Sequence, residues 1–427
     1  MMKGPMAKLW KMVVWMCFLQ TLTAFAAESL IVEALSMEQV LRMAYIRNPQ
    51  MMEARKAIDS AKGRRLQAEA LPDPEIDFEI GSLKSEDQGG KKVRPGNLDS
   101  VIVSQPLDPI GTRFLKGSMA ADDVRIAQGE LDIRWAEIRK RVIALYANIL
   151  AAEKAVEVAR DNFNTTKQFF ARVETRFQAG NALRSDVLRA KIEVSRAEND
   201  FLINEKDLKI FKSQLNLAIG RTAEEPLALT DALGYEPLHY EYEKIKQTAA
   251  AQRVDIKNET RRLSSTRKGF WSAVLKTIFP KMTLGYERAT QDYSNDSSLL
   301  LGASYPLWGF NFGEVKAAKA EQEQQEIRLE ALKNQVGLEA YQALIEAELA
   351  DKQVALQQNA LDEANELLRQ ITIKYEEGDL PFLNYLENLR TIKETRLAYF
   401  NALKSYKEKV AELESAIQQT PVPSGVG

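Results

Sequence analysis

Two long proline-free helical stretches, each broken by a glycine in matching context, constrain this chain more than any other feature. The first runs from about Arg113 to Arg176 and the second from about Val315 to Lys374. At 1.5 Å rise per residue the first alone is on the order of 95 Å long, more than a compact globular domain needs. The breaks read "RFQAGNALRSDVL", with Gly180, and "KYEEGDLPFLNYL", with Gly378, and the two glycines stand 198 positions apart. Glycine supplies a left-handed turn without strain, and Pro381 is tolerated in the first turn of a returning helix. Past Gly180, Val187, Ala190, Val194, Ala197, Phe201, Leu208, Phe211 and Leu215 follow the 3-4 spacing of a coiled-coil seam. Each rod therefore folds back on itself as an antiparallel hairpin. The charged fraction of 28% supplies the solvated faces such rods need.

The segments ahead of the rods are also written twice. "LSMEQVLRMAYIRNP" opens a helix with a capping-box pattern at Ser36 and Gln39, and Asn48-Pro49 interrupts it before a second helix, which "LPDP" from Leu71 stops. In "EIDFEIGS", Ile76, Phe78 and Ile80 alternate with Asp77, Glu79 and Gly81, which predicts a strand with one apolar and one acidic face. "SVIVSQPL" is a second strand. In the other half, "AAAQRVDIKNETRRLSSTRK" takes the place of the first helices, and Pro280 matches Pro74. "KMTLGYER" and "SSLLLGASYPL" are the third and fourth strands, with Ser304, Pro306 and Leu307 200 positions after Ser104, Pro106 and Leu107. The order is helix, two strands and a helical hairpin, twice. This divides the chain into a repeat over 27–221, a connector over 222–243, a repeat over 244–418 and a disordered tail over 419–427. The only histidine, His239, lies in the connector and is read as a surface residue.

Residues 1–26 have the form of a secretory signal peptide. Lys3, Lys8 and Lys11 precede the apolar run Met12 to Leu22, and Ala24-Phe25-Ala26 suits cleavage before Ala27. That run is short for a spanning helix, which takes roughly 20 residues. Cleavage removes Cys17, the single cysteine, so the mature chain has no disulfide. Acylation of Cys17 is the other reading, against which Trp15 and Met16 fill positions where small residues are expected. The formal charge is −2, and −5 after cleavage, with 55 basic against 60 acidic residues. No clustered basic excess points to nucleic acid.

Four alternating strands with no core to cover their apolar faces have two readings. One is a small sheet packed on a helix pair. The other is an outer-membrane wall with apolar side chains toward lipid and polar ones toward a lumen, for which about ten residues per strand suffice. Four strands cannot close a barrel alone, since about eight is the minimum and an open edge in lipid leaves backbone groups unsatisfied. In that case several copies must each lend a sector.

The duplicated order, the Ser-x-Pro-Leu strand ends and the two glycine breaks together resemble the TolC-type outer membrane efflux protein family, over nearly all of the mature chain. The resemblance implies a mainly α protein with a small transmembrane β part. Long antiparallel coiled-coil hairpins would form an α-barrel, and four strands per chain would enter a twelve-stranded barrel of a homotrimer. It places the chain in the outer membrane of a Gram-negative-type cell, in contact with outer-membrane lipid and extending into the periplasm. Its partners would be a periplasmic adaptor and an inner-membrane pump, with no nucleic acid. The hairpin ends at Gly180 and Gly378 would constrict the tunnel and meet the adaptor.

Matched by motif position, the resemblance assigns polar links at the aperture to Asp186 and Tyr375, and acidic ring positions to Asn384 and Glu387. The family's basic linking partner falls on Leu380, a departure that weakens the lock. Asp186 and Glu387 also read as ordinary charges in the first turn of a helix, where the dipole favours acids. Asp77 and Glu79 are expected to face the lumen, with a polar position at the membrane edge as the alternative. No HExxH, Cys/His cluster, GxSxG or phosphate-binding glycine loop occurs, so neither enzyme activity nor a cofactor is expected. The function implied is a passive exit duct for metal ions or small toxic compounds. Type I protein secretion, or a non-channel periplasmic scaffold or adaptor, are the alternatives.

Overall fold

The computed structural model describes residues 34–80, 98–238, 242–291, 294–305, 311–377 and 379–418. The signal segment with Cys17, His239, Gly378 and the tail after 418 lie outside the described residues. The first half comprises β1 (Ala34–Leu35), α1 (Met37–Arg47), α2 (Pro49–Glu69), β2 (Glu75–Ile80), β3 (Leu98–Leu107), α3 (Thr112–Gln178) and α4 (Arg184–Ala218). After β4 (Ala228–Leu229), the second half comprises α5 (Tyr242–Gln252), α6 (Val254–Ile278), β5 (Lys281–Gln291), β6 (Ser294–Ser304), α7 (Phe312–Glu377) and α8 (Phe382–Ala416). The long rods α3 and α7 have 67 and 66 residues and the return helices α4 and α8 have 35 each, so the long helices of the two halves match in length.

Local chemistry explains where these elements start. Ser36 caps α1 as a capping box, accepting from Gln39 N at 3.3 Å while Gln39 Oε1 accepts from Ser36 N at 2.8 Å. Asn48 closes α1 and opens α2, accepting from Gln50 N at 2.9 Å, with Pro49 at the first helical position. The Asn48 amide also donates to Ala218 O at 2.8 Å, fastening the end of α4 to this corner.

The rod α3 is the spine. Beside the sheet it packs between α2 and α6, with α7 on the far side of α6; beyond the middle it packs between α4 and α8, with α7 on the far side of α8. Two equivalent cores lie at mid-height. One gathers Val40, Met51, Trp135, Val142, Tyr146 and Leu215, and the other Ile245, Ile256, Val336, Leu344, Leu413 and Ile417. The connector is strapped across this level. Its β4 pairs in parallel with β1. Asp231 accepts from Met37 N at 2.9 Å and from the Tyr146 hydroxyl at 3.0 Å, and the Tyr235 hydroxyl donates to Asp351 at 2.8 Å.

The four long strands form one antiparallel sheet in the order β2-β3-β5-β6, so the two halves join through β3 and β5. Register aligns Phe78 with Val101, Val103 with Tyr286, and Tyr286 with Leu299. Ile76, Phe78, Val103, Leu284, Tyr286, Leu299 and Leu301 thus share one face. They are exposed there, Leu299 and Leu301 by more than 70%. No described helix is long and apolar enough to cross a membrane.

Candidate functional site

Two polar regions stand out, one on each end of the molecule. The first is the other face of the sheet. Register sets Asp77 beside Ile102, Ile102 beside Glu287, and Glu287 beside Ser298, so Asp77 and Glu287 lie in one row two strands apart, about 10 Å at normal strand spacing. Glu79 is one residue pair further along that face and accepts from the Ser100 hydroxyl at 3.2 Å; Glu287 accepts from Ser298 at 3.2 Å. The structure thus brings Asp77 and Glu79 together and adds Glu287. The period of two in "KMTLGYER" was the available signal for that third carboxylate.

The second region is the end of the hairpins. Gly180 adopts φ of +78° and its N–H donates to Phe177 O at 2.9 Å, while Asn181 N donates to Arg176 O at 2.8 Å, closing α3 with a left-handed turn. Asp186 sits in the first turn of α4 and reaches back to Leu183 N at 3.4 Å, a long contact that helps cap that helix. Tyr375 is buried against Tyr385 and Phe169, with ring centroids 4.5 and 5.3 Å away. Burial pushes its phenol pKa up, against the opposing pull of Arg176 and Arg172. No hydrogen bond joins Asp186 to Tyr375. Leu380 packs on the edge of the same apolar cluster. Asn384 and Glu387 are exposed on the first turns of α8, and the Glu387 carboxylate is near enough to Arg390 to help raise its pKa.

The cross-hairpin links are found one to four turns further along the return helices. Arg390 of α8 holds Glu193 of α4 with two bonds, Nε to Oε1 at 3.1 Å and Nη2 to Oε2 at 2.5 Å, and Lys393 reaches Asp200 at 3.0 Å. The bond to Glu193 raises the Arg390 pKa despite some desolvation. These pairs join residues more than 190 positions apart, and nothing in the local sequence marks them. Among the described residues no group of His, Cys, Asp and Glu is arranged to hold a metal ion.

An open antiparallel sheet with one exposed apolar face, continuous with paired helical rods, is the architecture of channel-forming outer membrane proteins. The chain belongs to the outer membrane efflux protein family, whose model matches residues 40–221 and 245–418. It is 23% identical over 380 residues to the cobalt-zinc-cadmium resistance protein CzcC of Cupriavidus metallidurans, covering 86% of each chain. Among solved structures it resembles CusC, with 17% identity, a TM-score of 0.73 and 89% and 91% of the two chains covered. It also resembles the open state of the Neisseria gonorrhoeae MtrE outer membrane channel, with 18% identity, a TM-score of 0.74 and 89% and 88% covered. The fold class is therefore that of these channels, as the sequence resemblance implied.

Proposed function

We propose that the chain is the passive outer-membrane exit duct of a tripartite efflux system. It works as a homotrimer that meets a periplasmic adaptor and an inner-membrane pump at its hairpin ends. The observation that carries this reading is the distribution of unsatisfied edges. The sheet ends in β2 on one side and β6 on the other. The helical wall ends in α2 and α4 on one side and α7 on the other. All first-half edges thus lie together and all second-half edges lie together, so one copy's first half fits the next copy's second half around a closed ring. Two copies would give eight strands, an interior filled by side chains; three give twelve and leave a lumen. In that ring the apolar sheet face meets lipid, and Asp77, Glu79 and Glu287 line the lumen.

Metal cations are the cargo best supported. The name of the CzcC relative points to cobalt, zinc and cadmium resistance, and acidic lumen residues suit cation passage through long-range attraction rather than tight binding. The test is direct: detergent-purified protein should behave as a trimer by light scattering and give ionic conductance in planar bilayers. A stable monomer that stays soluble without detergent overturns the reading.

At the aperture, threefold symmetry brings three copies of Glu387 around one axis beside Asn384, with Asp186 and Tyr375 on the surrounding hairpin ends. Glu387→Gln removes three charges with little change of shape. The expected result is a clear fall in cation preference, read from reversal potentials across a salt gradient, with trimer stability unchanged. An unaltered preference assigns selectivity to the sheet carboxylates and leaves Glu387 as a solvated helix-start charge.

A further inference from the structure

The apolar face of the sheet carries one charge among the described side chains. Paired residues share a face and successive residues alternate, so register sorts each strand residue to one face or the other. Glu75, Asp77, Glu79, Lys281, Glu287 and Asp296 all fall on the face opposite the apolar one. Arg288 falls on the apolar face, in a row with Phe78, Val101 and Ser297 and next to the row of Ile76, Val103, Tyr286 and Leu299. It is exposed there, and its partners across the ladder, Val101 and Ser297, carry no charge. Gln105 shares this face in the row of Leu284, but its amide donates to Pro72 O at 2.7 Å and is satisfied within the chain.

Rows at Met282, Leu284 and Tyr286 separate Arg288 from the end of the sheet that joins the helices, and residues 81–97 and 292–293 connect the strands at the other end. Six residues of antiparallel strand from Met282 to Arg288 span on the order of 20 Å. The apolar band of an outer-membrane wall is about 25 Å tall, and a charge facing lipid is strongly unfavourable at its middle but nearly without cost at its edge. Arg288 therefore marks the level at which hydrocarbon ends. Tyr286, two residues nearer the band on the same face, is exposed and is the kind of ring that settles at headgroup level. At such an edge the arginine stem lies along apolar surface while the guanidinium reaches the headgroups. Its planar fork matches two oxygens of a phosphate. Ser297, across the ladder with its Cβ about 5 Å away, adds a hydroxyl donor at the same place.

We propose that Arg288, with Ser297 beside it, binds the phosphate of an anionic lipid headgroup in the outer leaflet. This rests on the exit-duct reading above, which sets the apolar face in lipid and the helices on the periplasmic side. A lipid fits better than dissolved phosphate because Phe78, Val101, Val103, Tyr286 and Leu299 around the site offer an apolar bed for acyl chains. Three copies place three such sites at one level around the ring, so the contact also fixes how deep the sheet sits in the membrane.

The test is native mass spectrometry of the full-length protein in detergent, titrated with phosphatidylglycerol. In Arg288→Gln the apparent Kd of the first three lipids per trimer should rise about fivefold, the effect of one basic residue at an anionic surface. Phosphatidylcholine, whose choline offsets the phosphate charge, should bind both proteins alike. Lys316→Gln removes the same charge from the first turns of α7, beyond the opposite end of the sheet, and should change nothing. An unaltered Kd in Arg288→Gln, an equal loss in Lys316→Gln, or displacement of the lipid by inorganic phosphate overturns the proposal. A wild-type chain that is monomeric and soluble without detergent would instead count against the exit-duct reading. If Arg288→Gln fails to assemble, Arg288→Lys keeps the charge without the fork and should show a smaller rise in the same direction.

Discussion

Replacing Ile203, Ile210 and Leu217 together with aspartate is expected to abolish the trimer while leaving the hairpins helical. These residues recur every seven positions on α4, with Leu188 and Ile192 continuing the stripe toward the hairpin end. They are 43%, 44% and 59% exposed, although the opposite side of the same helix packs on α3 through Ala190, Ala197 and Leu215. An apolar stripe on an edge helix, at coiled-coil spacing and with no partner in its own chain, fits a second copy. The facing edge, α7, has a matching exposed series at Leu338, Ile345, Leu349 and Leu356.

Covering each α4 residue contributes up to about 1.5–3 kcal/mol, and the proposed trimeric ring would contain three such seams. Three buried carboxylates per seam reverse that gain, because an unpaired charge costs several kcal/mol to desolvate. The seam within each hairpin does not involve these positions, so helical circular dichroism should match wild type. Light scattering in detergent should report monomers. A persisting trimer would show that α4 is not an edge of the assembly, and would undo the ring proposed from the order of helices and strands.

The second stripe on α4 was present in the sequence, yet period counting assigned the helix a single seam. Both stripes have the same spacing, and only the packing of α4 on α3 shows which one is left over. The rods and the break at Gly180 were legible because they depend on local propensity and on turn chemistry. So was the alternation that splits Phe78 from Asp77. The order of the sheet was not legible, because joining the halves through β3 and β5 depends on which edges meet after folding. β1 and β4 were missed for a simpler reason: two residues are too few to carry a period of two. The links from Arg390 and Lys393 are invisible in sequence because opposite charges are common on solvated helices, and only the fold selects a pair.

Gly220→Ala is expected to be strongly destabilising, well beyond the same change at Gly180. Both glycines have left-handed backbone, with φ of +75° and +78°, so alanine at either position costs about 1–2 kcal/mol in backbone strain. The surroundings separate them. A Cβ on Gly180 meets nothing within 4 Å, whereas one on Gly220 would stand 2.6 Å from Arg47 O and 2.8 Å from Arg47 Cβ. Arg47 cannot withdraw easily, because it ends α1 just before Asn48, whose amide holds Ala218 O at 2.8 Å and whose oxygen caps α2. Forcing an atom into such a joint adds typically 1–3 kcal/mol, for a total of roughly 2–5 kcal/mol. Thermal unfolding of the purified proteins, followed by circular dichroism at matched heating rates, should place the Gly220→Ala midpoint clearly below that of Gly180→Ala. Equal midpoints would mean that α1 and the end of α4 move apart freely, and that the joint at mid-height does not hold the hairpins in register.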